Sequence, residues 1–267
     1  MRIRASVAAL SGALVLSSAL VFPAAAQAHA GPMTSDDDTT ITKVVVNGGK
    51  DLVLGTTAKK SFTATVTATD PDGVTAGWVA LWHGTSFDDQ GRDATLLPAE
   101  EGTGSCVAAD AQTSTCTVHF TVDPKTDLTD NAFAGTWHAY AIAYGMPSGS
   151  TNNGYAGTVH IKRNTTLTGD ASPEPVAKGR TVTVKGALTR ADWETGAYAG
   201  LSGRSVKLQF RKVDSSTYTT LKTVTSTTGG AVTATTTATT DGYYRFSYAG
   251  TTATDAATSS GDFVNVQ

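Results

Sequence analysis

Gly157-Thr-Val-His-Ile-Lys-Arg-Asn-Thr-Thr-Leu167 joins two stretches that each alternate apolar and polar residues. The residues before Arg163 read as the last strand of one β-domain, because a half-buried strand shows a period of two. Thr165 to Thr168 read as the first strand of another. Only Arg163 and Asn164 lie clearly between them, so the connection is very short and predicts two β-domains with restricted relative motion.

Outward from this junction the same pattern recurs. In residues 61–69, Phe62, Ala64, Val66 and Ala68 alternate with Thr63, Thr65 and Thr67, and Asp70-Pro-Asp-Gly73 ends the run. Residues 77–83 place Trp78, Ala80 and Trp82 on one face and Val79 and Leu81 on the other. Residues 105–109 and 114–122 form a hairpin, and 135–144 and 154–162 complete the first half. In the second half the clearest strand is 205–212, with Val206, Leu208 and Phe210 against Lys207, Gln209 and Arg211. Short strands at regular spacing, rich in Thr and Val and separated by turns, predict antiparallel β-sandwiches. The expected fold class is all-β, with two tandem immunoglobulin-like sandwiches. The expected domains are a signal peptide over 1–30, a polar N-terminus over 31–40, a first sandwich over 41–163 and a second over 164–267.

Arg2 and Arg4, a short apolar run to Phe22 and Pro23-Ala-Ala-Ala-Gln-Ala28 have the order of a secretory leader. The run is short for a bilayer-spanning helix, which needs ~20 apolar residues. No second apolar span follows, so the mature chain is expected outside the cell without a membrane span. Without Arg2 and Arg4, 18 basic residues face 23 acidic ones. The acidic excess falls on residues 31–163, with 8 basic and 15 acidic residues, whereas 164–267 holds 10 and 8. Nucleic-acid binding needs a concentrated basic footprint, so that class is excluded.

Cys106 and Cys116 form an even pair in a chain read as exported, which predicts a disulfide across the hairpin. The alternative, a reactive thiol pair, lacks a redox spacing.

Three stretches, Ser172-Pro-Glu-Pro-Val-Ala-Lys-Gly-Arg-Thr-Val-Thr-Val-Lys-Gly186, Ser205-Val-Lys-Leu-Gln-Phe-Arg211 and Asp241-Gly-Tyr-Tyr-Arg-Phe246, resemble bacterial immunoglobulin-like domains of secreted actinobacterial proteins. The chain is similar to tandem proteins of that kind, some of which carry a calcium-binding label. The resemblance implies the fold and an extracellular compartment. It implies little about function, because this fold hosts many functions.

Four constellations are candidates for chemistry. The acidic loop 85–101 holds Asp88, Asp89, Asp93, Glu100 and Glu101. Counted from Asp89, residues 93, 96 and 100 fall at the fifth, eighth and twelfth places of an EF-hand loop. Gly91 and Ala94 depart from that pattern, which leaves a millimolar calcium loop or a solvated acidic loop. Asp70 and Asp72 are a second possible calcium pair, or the ordinary residues of a Pro-Gly turn. Lys207, Arg211 and Arg245, with Lys185 if its strand is adjacent, read as a basic stripe. Such a stripe could meet an anionic cell-wall or surface polymer, or the acidic domain of another copy. It could equally be a solvated face that discourages aggregation. Trp193 and Tyr198 in the loop 190–203 could stack on sugar rings, or Trp193 could cap a core. His83, His119, His138 and His160 lack zinc spacing, and no catalytic motif is present. Asn164-Thr-Thr166 matches a glycosylation sequon. The sequence thus predicts a non-catalytic extracellular binding or structural protein with calcium as a candidate ligand. Polymer recognition is the alternative, and an extracellular enzyme or inhibitor comes third.

Overall fold

The chain is described as a computed structural model covering residues 38–99 and 102–267. Residues 1–37, which include the expected leader, and the acidic pair Glu100 and Glu101 lie outside the described residues.

Nine strands build the first sandwich: β1 (Thr40–Val46), β2 (Leu52–Leu54), β3 (Lys60–Thr69), β4 (Val74–Gly84), β5 (Arg92–Leu96), β6 (Ser105–Ala108), β7 (Thr113–Val122), β8 (Gly135–Gly145) and β9 (Ser150–Arg163). They pair as β1-β3-β7-β6 and β2-β9-β8-β4-β5. All pairs are antiparallel except β2 with β9. A four-stranded sheet facing one whose order runs from β2 through the last two long strands, β9 and β8, to β4 and β5 is the immunoglobulin-like arrangement. β5 corrects the reading of 85–101 as loop throughout, because Arg92–Leu96 is an edge strand on β4.

Alternation places the core. On β3, Phe62, Ala64, Val66 and Ala68 are buried, and across the register Phe62 meets Phe120, Ala64 meets Val118 and Val66 meets Cys116. The Phe62 and Phe120 rings stack with centroids 4.9 Å apart. From the facing sheet come Leu52, Leu54, Val79, Leu81, Ile161 and the fully buried Trp137. Trp137 donates its indole N–H to the Phe133 carbonyl at 2.8 Å, which satisfies the one polar atom it takes into the core. Cys106 stands opposite Cys116 and is disulfide-bonded to it. Gly77 of the facing sheet lies against this bond. A Cβ there would lie 2.5 Å from Val66 Cγ1 and 2.8 Å from Cys116 Cβ.

The second sandwich is built from β10 (Thr165–Leu167), β11 (Asp170–Ser172), β12 (Thr181–Asp192), β13 (Ala197–Gly200), β14 (Ser205–Lys212), β15 (Thr219–Thr225), β16 (Ala231–Thr237), β17 (Gly242–Tyr248), β18 (Ala257–Thr258) and β19 (Asp262–Val264). The long strand β12 carries β10, β11, β13 and β16. The opposite sheet runs β15-β14-β17-β18, with β19 also on β17. Its core of Val182, Val184, Leu188, Val206, Leu208, Tyr244, Phe246 and Val264 is separate from the first.

The junction ties the two cores into one packed unit. Arg163 is the last residue of β9 and is buried. Its main chain bonds Ala253 and Asp255 of the second sandwich, each at 3.0 Å. Its Nε donates to the Ala191 carbonyl at 2.5 Å, and Nη2 lies 3.7 Å from Asp192 Oδ2. Asn164 donates its N–H to the Leu54 carbonyl and accepts from Ala191 N–H, both at 2.8 Å. Two residues of backbone therefore carry bonds into both sandwiches, and the short connection expected from the sequence is stiffened by them.

Candidate functional site

The loop after β4 does not gather its described carboxylates around one point. Asp88 turns back on its own loop and accepts N–H groups of Gln90 and Gly91 at 3.0 and 2.9 Å. The Ser86 hydroxyl, then these N–H groups, hold its carboxyl below the usual range. Asp89 pairs with Arg92 at 2.6 Å. Asp93 pairs with His83 at 2.7 Å. Among the described residues no three His, Cys, Asp or Glu side chains converge as metal ligands.

Asp70 is buried. It accepts from the Thr39 hydroxyl at 2.7 Å and from the Asp72 N–H at 2.9 Å. Its carboxylate therefore fixes the turn between β3 and β4 and does not face solvent, while Asp72 is exposed on the turn. Of the two alternatives for this stretch, these contacts match the ordinary turn, and one member of the possible calcium pair is committed inside the fold.

Trp193 takes the capping alternative, which corrects its sugar-stacking role. It was a candidate for stacking on sugar, yet it is only 5% exposed and packs into the core of the first sandwich together with Ala191. Its indole N–H reaches the Gly55 carbonyl at 3.0 Å, and its main-chain N–H donates to Asn131 Oδ1 at 3.0 Å. Asn131 also donates to Asp192 Oδ1 at 3.2 Å and, through its N–H, to Glu194 at 3.1 Å. The hairpin β12–β13 thus reaches across the junction and closes the end of the neighbouring core. Tyr198, on the same hairpin, is exposed but gives its hydroxyl to Asn164 Oδ1 at 2.8 Å. That bond uses the amide of the sequon residue.

Lys207 and Arg211 on β14 and Arg245 on β17 do share one outward face, because β14 and β17 are direct neighbours with Gln209 opposite Arg245. Lys185 does not join them. It stands on β12, in the opposite sheet. On the shared face two tyrosines lie among the arginines. Arg245 sits 3.6 Å over the Tyr218 ring, and Arg211 sits 3.8 Å over Tyr243.

One surface escaped the sequence reading. The outward side of the β9-β8-β4 sheet carries Trp78, Trp82, His138, Tyr140, Ile142 and Tyr144, aligned by the pairs Trp78–Ile142 and Trp82–His138. Phe87 from the acidic loop folds over it and stacks on Tyr140 at 4.6 Å. Trp82 is buried beneath Phe87, His138 and the exposed Tyr155, and its indole N–H reaches the Gly154 carbonyl at 2.8 Å. Burial pushes the His138 imidazole below its ordinary value. Beyond the stack, Trp78, Ile142 and Tyr144 line a shallow depression with Gly102 and Thr103. The signal was present in 77–83, where both faces of the strand are apolar, but alternation does not say which face meets a core.

No protein-family model matches the sequence, and no curated protein is similar to it. The full ectodomain of mouse nectin-like molecule 4 (Ig1–Ig3) is 15% identical, with 84% of this chain aligned to 63% of that one at a TM-score of 0.24. The D0–D1 domain of intimin is also 15% identical, with 84% of this chain aligned to 98% of that one at a TM-score of 0.28. Salmonella alpha-2-macroglobulin reacted with methylamine is 12% identical over 84% of this chain and 14% of that one, with a TM-score of 0.29. The chain spans less than two thirds of the nectin-like ectodomain. At these scores the likenesses decide nothing, and the immunoglobulin-like assignment rests on the strand order.

Proposed function

We propose that the chain is a secreted, non-catalytic binding protein that takes a cell-wall or surface polysaccharide on the outward aromatic face of its first sandwich. The supporting observation is the strip formed by Trp78, Tyr140, Tyr144 and Tyr155 on a sheet face already stiffened by the Phe87–Tyr140 and Trp82–His138 stacks. Tyr155 and Tyr144 are 55% and 37% exposed. Tyr155 stands edge-on to Trp82, and partly open rings buttressed in this way offer the apolar faces of sugar rings a contact with little ordering cost. The Cys106–Cys116 disulfide suits an oxidising compartment. The stiff junction suits a module that presents a surface and does not close on a substrate.

Calcium has a smaller place in this reading. A cation in the loop after β4 would compete with Arg92 for Asp89 and with His83 for Asp93. It would therefore bind in the millimolar range at best.

The test is retention of the mature protein on insoluble wall material and on neutral polysaccharides, followed by Tyr155→Ala and Tyr144→Ala. Both side chains lie outside the cores, so the variants stay folded. Retention that falls in both supports the reading. Retention unchanged in both removes the aromatic face from consideration.

A further inference from the structure

Arg211 and Arg245 are held in a way that a solvated charged face does not require. Each guanidinium carbon lies directly over a tyrosine ring. Arg245 is 3.6 Å over Tyr218, and Arg211 is 3.8 Å over Tyr243 with Tyr218 also 5.5 Å away. Tyr243 in turn leans on Phe263 at 5.3 Å. The Tyr218 hydroxyl occupies the space that a side chain at Gly261 would need. The arginines and tyrosines therefore form one locked row across the sheet.

Stacking uses the faces of a guanidinium and leaves its N–H donors in the plane. Arg211 gives one N–H to the Ser215 carbonyl at 2.9 Å, and Arg245 gives its Nε–H to Gln209 Oε1 at 2.9 Å. These acceptors are neutral. Among the described residues the arginines that form ion pairs are Arg92 and Arg163, and neither of these two does. Two positive charges thus stand side by side without a carboxylate.

The bland account is that surface charges guard a sheet against edge-to-edge association. That account fits edge strands. β14 and β17 are the interior strands of their sheet, each with neighbours on both sides. It also favours flexible lysines, whereas both side chains here are arginines with their freedom already spent on the tyrosines.

We propose that this face is a binding site for the oxyanion groups of a linear polyanion, with Arg211 and Arg245 as the residues that grip them. Planar forks match phosphate and carboxylate oxygens two at a time. The register puts Gln209 opposite Arg245 and Arg211 opposite Tyr243, so the two arginines are diagonal neighbours, a separation of about 7–8 Å. Lys207 continues the row on the same side of β14, four residues and roughly 13 Å further along. A row of cations spread over two adjacent strands suits a chain of anions better than a single small ion. The site is distinct from the aromatic face of the first sandwich, and its failure leaves the neutral-polysaccharide assay untouched.

The experiment titrates the mature protein at low ionic strength with sodium polyphosphate and with polygalacturonate, using dextran as the uncharged control. Binding is read by calorimetry and by the Arg Nε–H signals in nitrogen-15 spectra. The tighter of the two polyanions identifies phosphate or carboxylate as the group recognised. The double variant Arg211→Lys with Arg245→Lys keeps the charge and removes the forks, and is expected to weaken binding at least about tenfold. Lys185→Gln removes one charge from the other sheet and is expected to change it less than about twofold. Binding by the double variant within that same margin would overturn the proposal, as would no binding to either polyanion. Equal losses in the double variant and Lys185→Gln would overturn it too. If the double variant does not fold, the wild-type signals decide: Arg211 and Arg245 must shift with polyanion and stay still with dextran.

Discussion

Trp193→Ala separates a structural tryptophan from a binding one. The side chain is 5% exposed and lies in the core of the sandwich to which it does not belong by sequence. Truncation leaves a cavity at the junction end of that core, and a buried Trp→Ala change costs about 3–5 kcal/mol. It also leaves the Gly55 carbonyl without its 3.0 Å donor, which adds about 1 kcal/mol. Trp193→Phe keeps most of the volume and loses the hydrogen bond, so its cost falls near 1–2 kcal/mol. Urea denaturation of both variants measures the difference, with intrinsic tryptophan fluorescence and circular dichroism as separate probes. The wild type is expected to unfold in one transition, because the sandwiches share the junction. Trp193→Ala is expected to split it, with the first sandwich unfolding earlier. A loss below about 0.5 kcal/mol, the range of ordinary surface changes, would refute the reasoning and return Trp193 to the surface.

Gly77→Ala drives a methyl group into Val66 and Cys116, and is expected to cost about 1–3 kcal/mol by overpacking in a thermal melt. Replacing both Cys106 and Cys116 by Ser opens a loop with a sequence separation of 10. The chain-entropy model gives about 2.5–3 kcal/mol for that loss, and a melt unchanged by the replacement would contradict it. Burial against Trp82 lowers the His138 pKa, so the folded state binds this proton less readily than the unfolded chain. Stability from this group is complete above the unfolded value of about 6.5 and falls as pH drops toward the folded value. His138→Phe is expected to flatten that part of the stability–pH curve, and proton NMR of the imidazole reads the shift directly. Ten-millimolar calcium is expected to stabilise the mature chain by no more than about 1.4 kcal/mol, the value for a millimolar site. A larger rise that vanishes in Asp89→Asn with Asp93→Asn would mean that the acidic loop forms a stronger site.

The strands that sequence reads best are those with one buried face. Phe62 to Ala68 and Val206 to Phe210 alternate because each side meets a different medium. Arg92–Leu96 escaped because an edge strand needs few apolar residues, and the acidic residues around it suggest a loop. Ala197–Gly200 escaped for a similar reason, being small and exposed along its whole length. The destination of Trp193 was ambiguous, because the carbonyl it bonds is 138 residues away. Alternation places Lys185, Lys207, Arg211 and Arg245 outward, but it is silent about which sheet a strand joins, so the membership of Lys185 in the stripe is conditional until the sheets are known. The stacking of Arg211 and Arg245 on tyrosines depends on cross-strand register, which the order of residues along one strand does not contain.

The locked junction sets the terms for any ligand that touches both sandwiches. Two binding faces on a floppy tether sample many separations, and each contact raises the local concentration of the other only modestly. Arg163 and Asn164, bonded into both halves, hold the faces at one separation instead. Effective concentration is then high for a polymer whose repeat matches that separation and close to zero for one that cannot span it. Avidity would therefore select polymers by spacing as well as by chemistry, and a few glycines inserted after Arg163 should blur that selection while leaving the affinity of each face alone unchanged.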